Sequence, residues 1–269
     1  MTVAVTYFQS PYQDNLLLAQ FAHPLLVPVL VQRDLIFMRE LQFITGAIDF
    51  LFLPNYIIGM PMFGWALHAP TQVPRLTPPE KGMEAMLDNL AAHNARVIAE
   101  TKSTGDPALD QAAWKKTEEE IELGCVYGPF EKLEDIPADV ARLAKRFPIW
   151  EQHGGAVEPT ARVIDDLLDG GQNSTTGMQY THRPCDLDTW SSHCRATQER
   201  FPEDQIQGFT SDYSKAFKQG TSDPQQAKWV VLAQWHPHLQ KVVFLLTVTQ
   251  LFGGKAAPLN FARCPDWFP

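Results

Sequence analysis

The stretch that most constrains this 269-residue chain lies between positions 228 and 250. Residues 228–235 alternate as a strand does, residues 236–241 (His-Pro-His-Leu-Gln-Lys) have the composition of a turn, and residues 242–250 read as the returning strand. Two strands joined by so short a connection pair antiparallel. The C-terminal part therefore contains a sheet, and the segments before residue 228 and after residue 250 meet at one end of it. The glycine pair Gly253 and Gly254 follows directly, and Pro258 opens a predicted helix over 258–261.

Upstream the periodicity changes. Leu35, Met38, Leu41 and Gln42 space as one face of a helix over 35–48, and Met83, Leu87, Leu90, Val97 and Ile98 do so over 81–102. Asp106 and Pro107 have the residue types of an N-cap and a first helical position, opening a helix that runs to Leu123 and stops at Gly124. The acidic run from Glu118 to Glu122 on that helix reads as a solvated face. Residues 137–146 predict a third short helix with a basic C-terminal end. Residues 147–152 and 160–164 predict strands around a His153-Gly154-Gly155 loop. Residues 70–79 read as a turn-rich linker, 170–185 as a polar loop, and 187–200 as a helix that packs Trp190 inward. The expected fold class is α+β, with a helical N-terminal part and a small antiparallel sheet. The chain divides into an apolar region 1–80 without evident chemistry, a helical region 81–146 and a sheet-bearing region 147–269.

With 45% hydrophobic and 20% charged residues the chain has the composition of a folded protein. Its net charge of -9 argues against a large basic nucleic-acid footprint. The acid is unevenly spread: from Ala161 onward there are 10 basic and 11 acidic residues, so the excess sits in the N-terminal part. Cys125, Cys185, Cys194 and Cys264 make no disulfide framework in a chain this long, and an intracellular location with reduced thiols is expected. The spacing of His182, Cys185, His193 and Cys194 does not match the usual zinc-ligand gap. The most apolar run, residues 44–67, is interrupted by Asp49, Pro54, Asn55 and Pro61, which argues against a membrane span and for buried core or a partner surface.

Three short motifs carry the candidate chemistry. In Gly208-Phe209-Thr210-Ser211-Asp212-Tyr213, a partly apolar run ends in one carboxylate, with Phe217 five positions on. A carboxylate at a strand end suits a hard cation such as Mg2+ in a cleft; it is equally the pattern of a turn or helix cap. Arg162 precedes Asp165 and Asp166, with Asn173 beyond; its planar fork of donors suits phosphate, and a surface Arg at a strand end has the same pattern. Gly253, Gly254 and Pro258 form the third.

In this order and spacing the motifs resemble the fingers and palm of retroelement reverse transcriptases, RNA-directed DNA polymerases, over roughly residues 114–269. The resemblance implies a partial fingers-palm polymerase fold. It implies that Asp212 binds metal and is catalytic, that the Tyr213 carbonyl adds an oxygen ligand, and that Phe217 screens the sugar 2' position. It further implies that Arg162 grips the incoming triphosphate, that Asp166 orients the fingers loop or pairs with that Arg, and that Gly253, Gly254 and Pro258 shape the floor under template and nucleotide. The cofactor would be Mg2+, and the partners an RNA/DNA primer-template and a dNTP. Asp165-Asp166 itself also resembles the family's third palm motif, an aromatic-x-Asp-Asp hairpin, in permuted order. No such motif follows Pro258, so the chain reads as truncated after the second palm motif. It is expected to bind Mg2+ weakly, to be inactive alone, and to present a palm edge to a protein partner. The alternative is a non-enzymatic nucleic-acid-binding or interaction module on the same scaffold.

Overall fold

A computed structural model describes residues 20–67, 70, 72–138, 141–152, 158–181, 187–205 and 215–263. Helices and strands are mixed along the chain and support two sheets.

The hairpin expected from the alternation is present. β7 (Val231–His236) and β8 (Lys241–Thr247) pair antiparallel from Val231↔Leu246 to His236↔Lys241. Gln240 takes a left-handed conformation (φ 51) in the turn. The hairpin is the centre of a five-stranded sheet of order β3-β8-β7-β4-β5, with β3 (Val126–Phe130), β4 (Leu143–Glu151) and β5 (Thr160–Asp166). β3 joins β8 antiparallel, and β5 joins β4 antiparallel. β4 runs parallel to β7, so the sheet is mixed rather than antiparallel. The predicted helix over 137–146 is therefore wrong. Its second half is the start of β4, which is held between β5 and β7 with Leu143 and Ala144 fully buried. Pairing with β7 over Leu143–Arg146, joined by β5 from Lys145 on, overrides the helical propensity of the local sequence.

Both faces of this sheet are covered, so its central strands are almost continuously apolar or buried. Leu232 and Leu245 point to one core together with Phe63, Leu167 and Leu251. Val231, Ala233, Phe244 and Leu246 point to the other, with Val97 and Ile136. The alternation in β7 divides its side chains between these two cores, as a strand period of two requires.

A second, three-stranded sheet has the order β1-β6-β2, with β1 (Gly64–Trp65), β2 (Val73–Thr77) and β6 (Thr176–Thr181). The linker expected over 70–79 thus contains an edge strand, in which Pro74 is tolerated at a register shift. The polar loop expected over 170–185 contains β6.

Among the helices, α1 (Val27–Leu30), α2 (Leu35–Thr45) and α3 (Phe52–Ile58) form the N-terminal part. Asp34 caps α2 through a bond from the Phe37 amide, and Gly46 closes it in a left-handed conformation. Leu26, Leu30, Leu35, Phe52 and Tyr56 bury against Val248 at the end of β8. A buried ion pair ties Asp49 to Arg263 at 2.7 and 2.9 Å. Residues 20–60 are thus part of the same packed body as the sheet. The predicted helix over 81–102 is shorter: Asn89, left-handed at φ 50, separates a 3-10 turn (Met83–Met86) from α4 (Leu90–Glu100).

α5 (Pro107–Glu122) has the expected ends, with the Asp106 carboxylate accepting from the amides of Ala108 and Leu109. At its C-terminus Gly124 is left-handed (φ 66), and a Cβ there would come 2.6 Å from Pro28. α5 lies against the sheet through Leu109, Ala113, Trp114 and Thr117. α6 (Leu187–Arg200) has no buried residue, and Trp190 is 58% exposed rather than packed inward, because no element among the described residues covers that helix. α7 (Ala257–Ala262) is the helix predicted after Gly254, with Pro258 in its first turn. No helix among the described residues is long and apolar enough to cross a membrane.

Candidate functional site

A cleft of about 430 Å³ opens between the C-terminal half of α5, strands β4 and β5, the segment 215–218 and Phe252. It gathers residues from motifs some ninety positions apart, because β5 is the edge strand next to β4 and the turn after β8 returns to that edge.

The base of the cleft is a quartet of charges. Arg146 and Asp165 are register partners across β4 and β5, and both are buried. Arg146 donates from Nε to Asp165 Oδ1 at 2.7 Å and from Nη2 to Asp165 Oδ2 at 3.3 Å. Nη2 also donates to Glu120 Oε2 at 2.9 Å, and Nη1 to the Thr117 hydroxyl at 3.4 Å. Lys218 Nζ lies 3.2 Å from Glu120 Oε2 and 4.0 Å from Asp165 Oδ2, in ion-pair range of both. Two cations and two carboxylates sum to zero, which is what allows them to sit together away from water. Burial works against ionisation of Glu120, but the charges of Lys218 and Arg146 outweigh it and hold its carboxyl down at about 2. The same two carboxylates, acting against burial, raise Arg146 above the usual guanidinium range.

Glu120 corrects the reading of residues 118–122 as a solvated face. The buried stripe Leu109, Ala113, Thr117 advances along α5 in steps of four, and a step of three from Thr117, on the same side of the helix, brings Glu120 to the cleft. Arg146, expected at a helix C-terminus, instead points from a strand.

The walls are aromatic. Phe217 lies 5.4 Å from Phe252 and 5.5 Å, edge on, from Phe261. The Arg162 guanidinium lies over the Phe252 ring at 4.3 Å, and its Nη1 donates to Glu151 Oε1 at 2.6 Å. Lys215 at the rim pairs with Glu119 at 3.0 Å, and the Lys116 ammonium donates to the Ala161 carbonyl.

The sequence-predicted residues fall as follows. Arg162 and Phe217 line this cleft, and Gly253 adjoins it. A Cβ on Gly253 would come 2.5 Å from the Asp165 carbonyl oxygen, so the backbone approach demands glycine. Asn173 fastens the same turn, donating to the Gly253 carbonyl at 2.8 Å and accepting from the Lys255 amide at 2.9 Å. Gly254 sits in this turn, and Pro258 lies one step away at the head of α7. Asp166 is not the partner of Arg162; it accepts from the amides of Leu168 and Asp169 at 3.2 and 3.0 Å and so shapes the turn after β5. Asp212 and Tyr213 lie outside the described residues, as do His182, Cys185 and the loop around Gly154.

The described carboxylates of the cleft do not fit a divalent cation. Glu120 and Asp165 are each held by Arg146 and Lys218, and a metal would have to displace a buried guanidinium. Asp166 is committed to its turn. Among the described residues no group of three or more His, Cys, Asp or Glu side chains is placed to hold a metal. What the cleft offers instead is a set of cations beside flat apolar rings, a combination suited to a phosphate-bearing aromatic ligand. Lys218, Glu120 and Arg146 escaped sequence reasoning; the helical phase of α5 and the facing positions of Arg146 and Asp165 are the signals that identify them. No protein-family model matches the chain, and no curated protein or solved structure matches it either.

Proposed function

We propose that the chain is a fingers-palm portion of a reverse transcriptase-like protein of the retroelement kind, whose cleft receives the phosphates of a nucleotide or of a primer-template. The reading rests on one observation above all: Arg162, Phe217 and Phe252, drawn from or adjoining the three motifs, converge on a single cleft beside Lys116, Lys215 and Lys218. Arg162 is 34% exposed at its side chain, and donors beyond the one bound to Glu151 have no partner among the described residues, as a phosphate ligand requires.

In the complete protein the chemistry would be template-directed nucleotidyl transfer with Mg2+ at Asp212. The described residues would supply binding and positioning to that reaction: cations for phosphate and an aromatic wall of tilted and edge-on rings. A second reading, a binding module without catalysis, is favoured by the charge quartet, since the carboxylates nearest the cleft are already neutralised.

The test is fluorescence anisotropy with a labelled RNA/DNA primer-template over a salt series, and primer extension with Mg2+ on the same preparation. We expect binding that weakens steeply from about 50 to 200 mM salt, in line with several phosphate contacts, and at least a roughly tenfold loss in Arg162→Ala, the order of one charge-assisted bidentate contact. Extension is expected to be absent. Binding indifferent to both salt and Arg162 would remove the proposal. Extension abolished by Asp212→Ala would show that the chain is catalytic and overturn the binding-module reading.

A further inference from the structure

Arg162 is not presented freely to the cleft. β4 and β5 pair with Ile149 opposite Arg162 and Thr160 opposite Glu151. Glu151 is therefore the diagonal neighbour of Arg162 on one face of the sheet, within reach of a long side chain. It takes that reach: Glu151 Oε1 accepts from Arg162 Nη1 at 2.6 Å, with both side chains about a third exposed (32% and 34%). The bond and the stack on Phe252 together hold the guanidinium at the mouth of the cleft. The same carboxylate places a negative charge within a few ångströms of any anion that Arg162 would bind.

We propose that Glu151 is a tuning residue for the cleft: it orients Arg162 and at the same time weakens the binding of compact polyphosphates, so that the carboxylate lowers the affinity the guanidinium alone would give. The inference rests on the reading of the cleft as a phosphate site. A phosphate approaching Arg162 has to share its donors with Glu151 and meets the repulsion of a fixed like charge. At a site screened by water that repulsion is of the order that changes affinity roughly fivefold, and added salt diminishes it. Orientation and repulsion are separable, because Gln at position 151 retains an oxygen that can accept from Arg162 while losing the charge.

The experiment is isothermal titration calorimetry with inorganic tripolyphosphate in metal-free buffer, on the full chain and on Glu151→Gln, Arg162→Gln and the double variant, each checked for an unchanged melting curve. Glu134→Gln, on the 3-10 turn Leu133–Asp135 away from the cleft, controls for net charge. We expect Glu151→Gln to bind roughly fivefold tighter at about 50 mM salt, the gain to shrink at about 300 mM, the control to bind as the unaltered chain, and the gain to vanish when Arg162 is also replaced. Unchanged or weaker binding in Glu151→Gln, with Arg162→Gln still weakened, overturns the tuning role and leaves the phosphate reading standing. Tripolyphosphate binding that is indifferent to Arg162 overturns both. An equal gain in the Glu134 control reduces the effect to overall charge and also overturns the tuning role.

Discussion

Replacing Arg146 with Met tests whether the charge quartet is a stabilising unit. Met is close to Arg in length and leaves no cavity of consequence, so the change removes charge and hydrogen bonds more than volume. Arg146 is 2% exposed and donates to Asp165, Glu120 and Thr117. Without it, two carboxylates in a buried setting face the single cation Lys218, at 3.2 and 4.0 Å. Leaving a buried charge uncompensated costs about 3–5 kcal/mol, a large part of the roughly 5–15 kcal/mol that holds a typical domain together. The cost should depend on pH with a definite sign. In the unaltered chain Glu120 is depressed from 4.5 to about 2. Its contribution, roughly 3 kcal/mol from the size of that shift, is therefore fully present above pH 4.5 and lost as the pH falls towards 2. In Arg146→Met one of the two cations that support that ionised form is gone and Lys218 alone remains, so protonating Glu120 relieves the imbalance. The difference in stability between the two chains should then be about 4 kcal/mol at pH 7 and shrink below about 2 kcal/mol by pH 4. The assay is urea denaturation followed by tryptophan fluorescence at both pH values. A second variant, Arg146→Met with Asp165→Leu, leaves Glu120 with Lys218 as a neutral pair and should recover more than half of the loss. A penalty under about 1 kcal/mol at pH 7, or costs for Arg146→Met and Asp165→Leu that simply add, would refute the account of the quartet as one coupled unit.

The turn after β8 gives two further expectations. Gly253→Ala drives a methyl to 2.5 Å from the Asp165 carbonyl oxygen, so the turn must move away from β5 at a cost of about 1–3 kcal/mol in urea melts; a neutral result would mean the two segments are not held as close as described. Asn173→Ala removes both bonds that fasten residues 253–255 to the turn after β5 and should cost about 1–3 kcal/mol, whereas Asn173→Asp keeps only the bond from the Lys255 amide and should fall between. Faster proteolytic cutting near Gly253 in the Ala variant would check that the loss is local.

Why some of this was legible and some was not follows from the range of the interactions involved. The β7–β8 hairpin announces itself because its period and its short connection are local, and the start of α5 does so because Asp106 bonds to amides two and three residues away. The stretch 137–146 misleads because the first residues of β4, Leu143–Arg146, are extended only through their neighbours: they have ordinary helical propensity, and pairing with β7, joined by β5 at Lys145 and Arg146, extends them, whereas the rest of β4 was already legible as a strand. Trp190 misleads in the opposite sense, since a large aromatic on a helix implies a cover that no element among the described residues provides.

The ions at the cleft belong to a third kind, in which the local pattern is read correctly and the exception within it is missed. A run of acids on a helix is a solvated face on average, yet the helix has one inward stripe, and Leu109, Ala113 and Thr117 define it well before the run begins. Carrying that stripe on by a step of three singles out Glu120 among its acidic neighbours. A carboxylate at such a phase needs a buried cation, and the cations within reach of it are Arg146 on a central strand and Lys218 beside Phe217. The conflict between an acidic residue type and an inward position is therefore itself the clue to the cleft: the charges are tolerated there only because four of them cancel, and that cancellation leaves Arg162, part-exposed and paired with Glu151, outside the quartet at the mouth of the cleft.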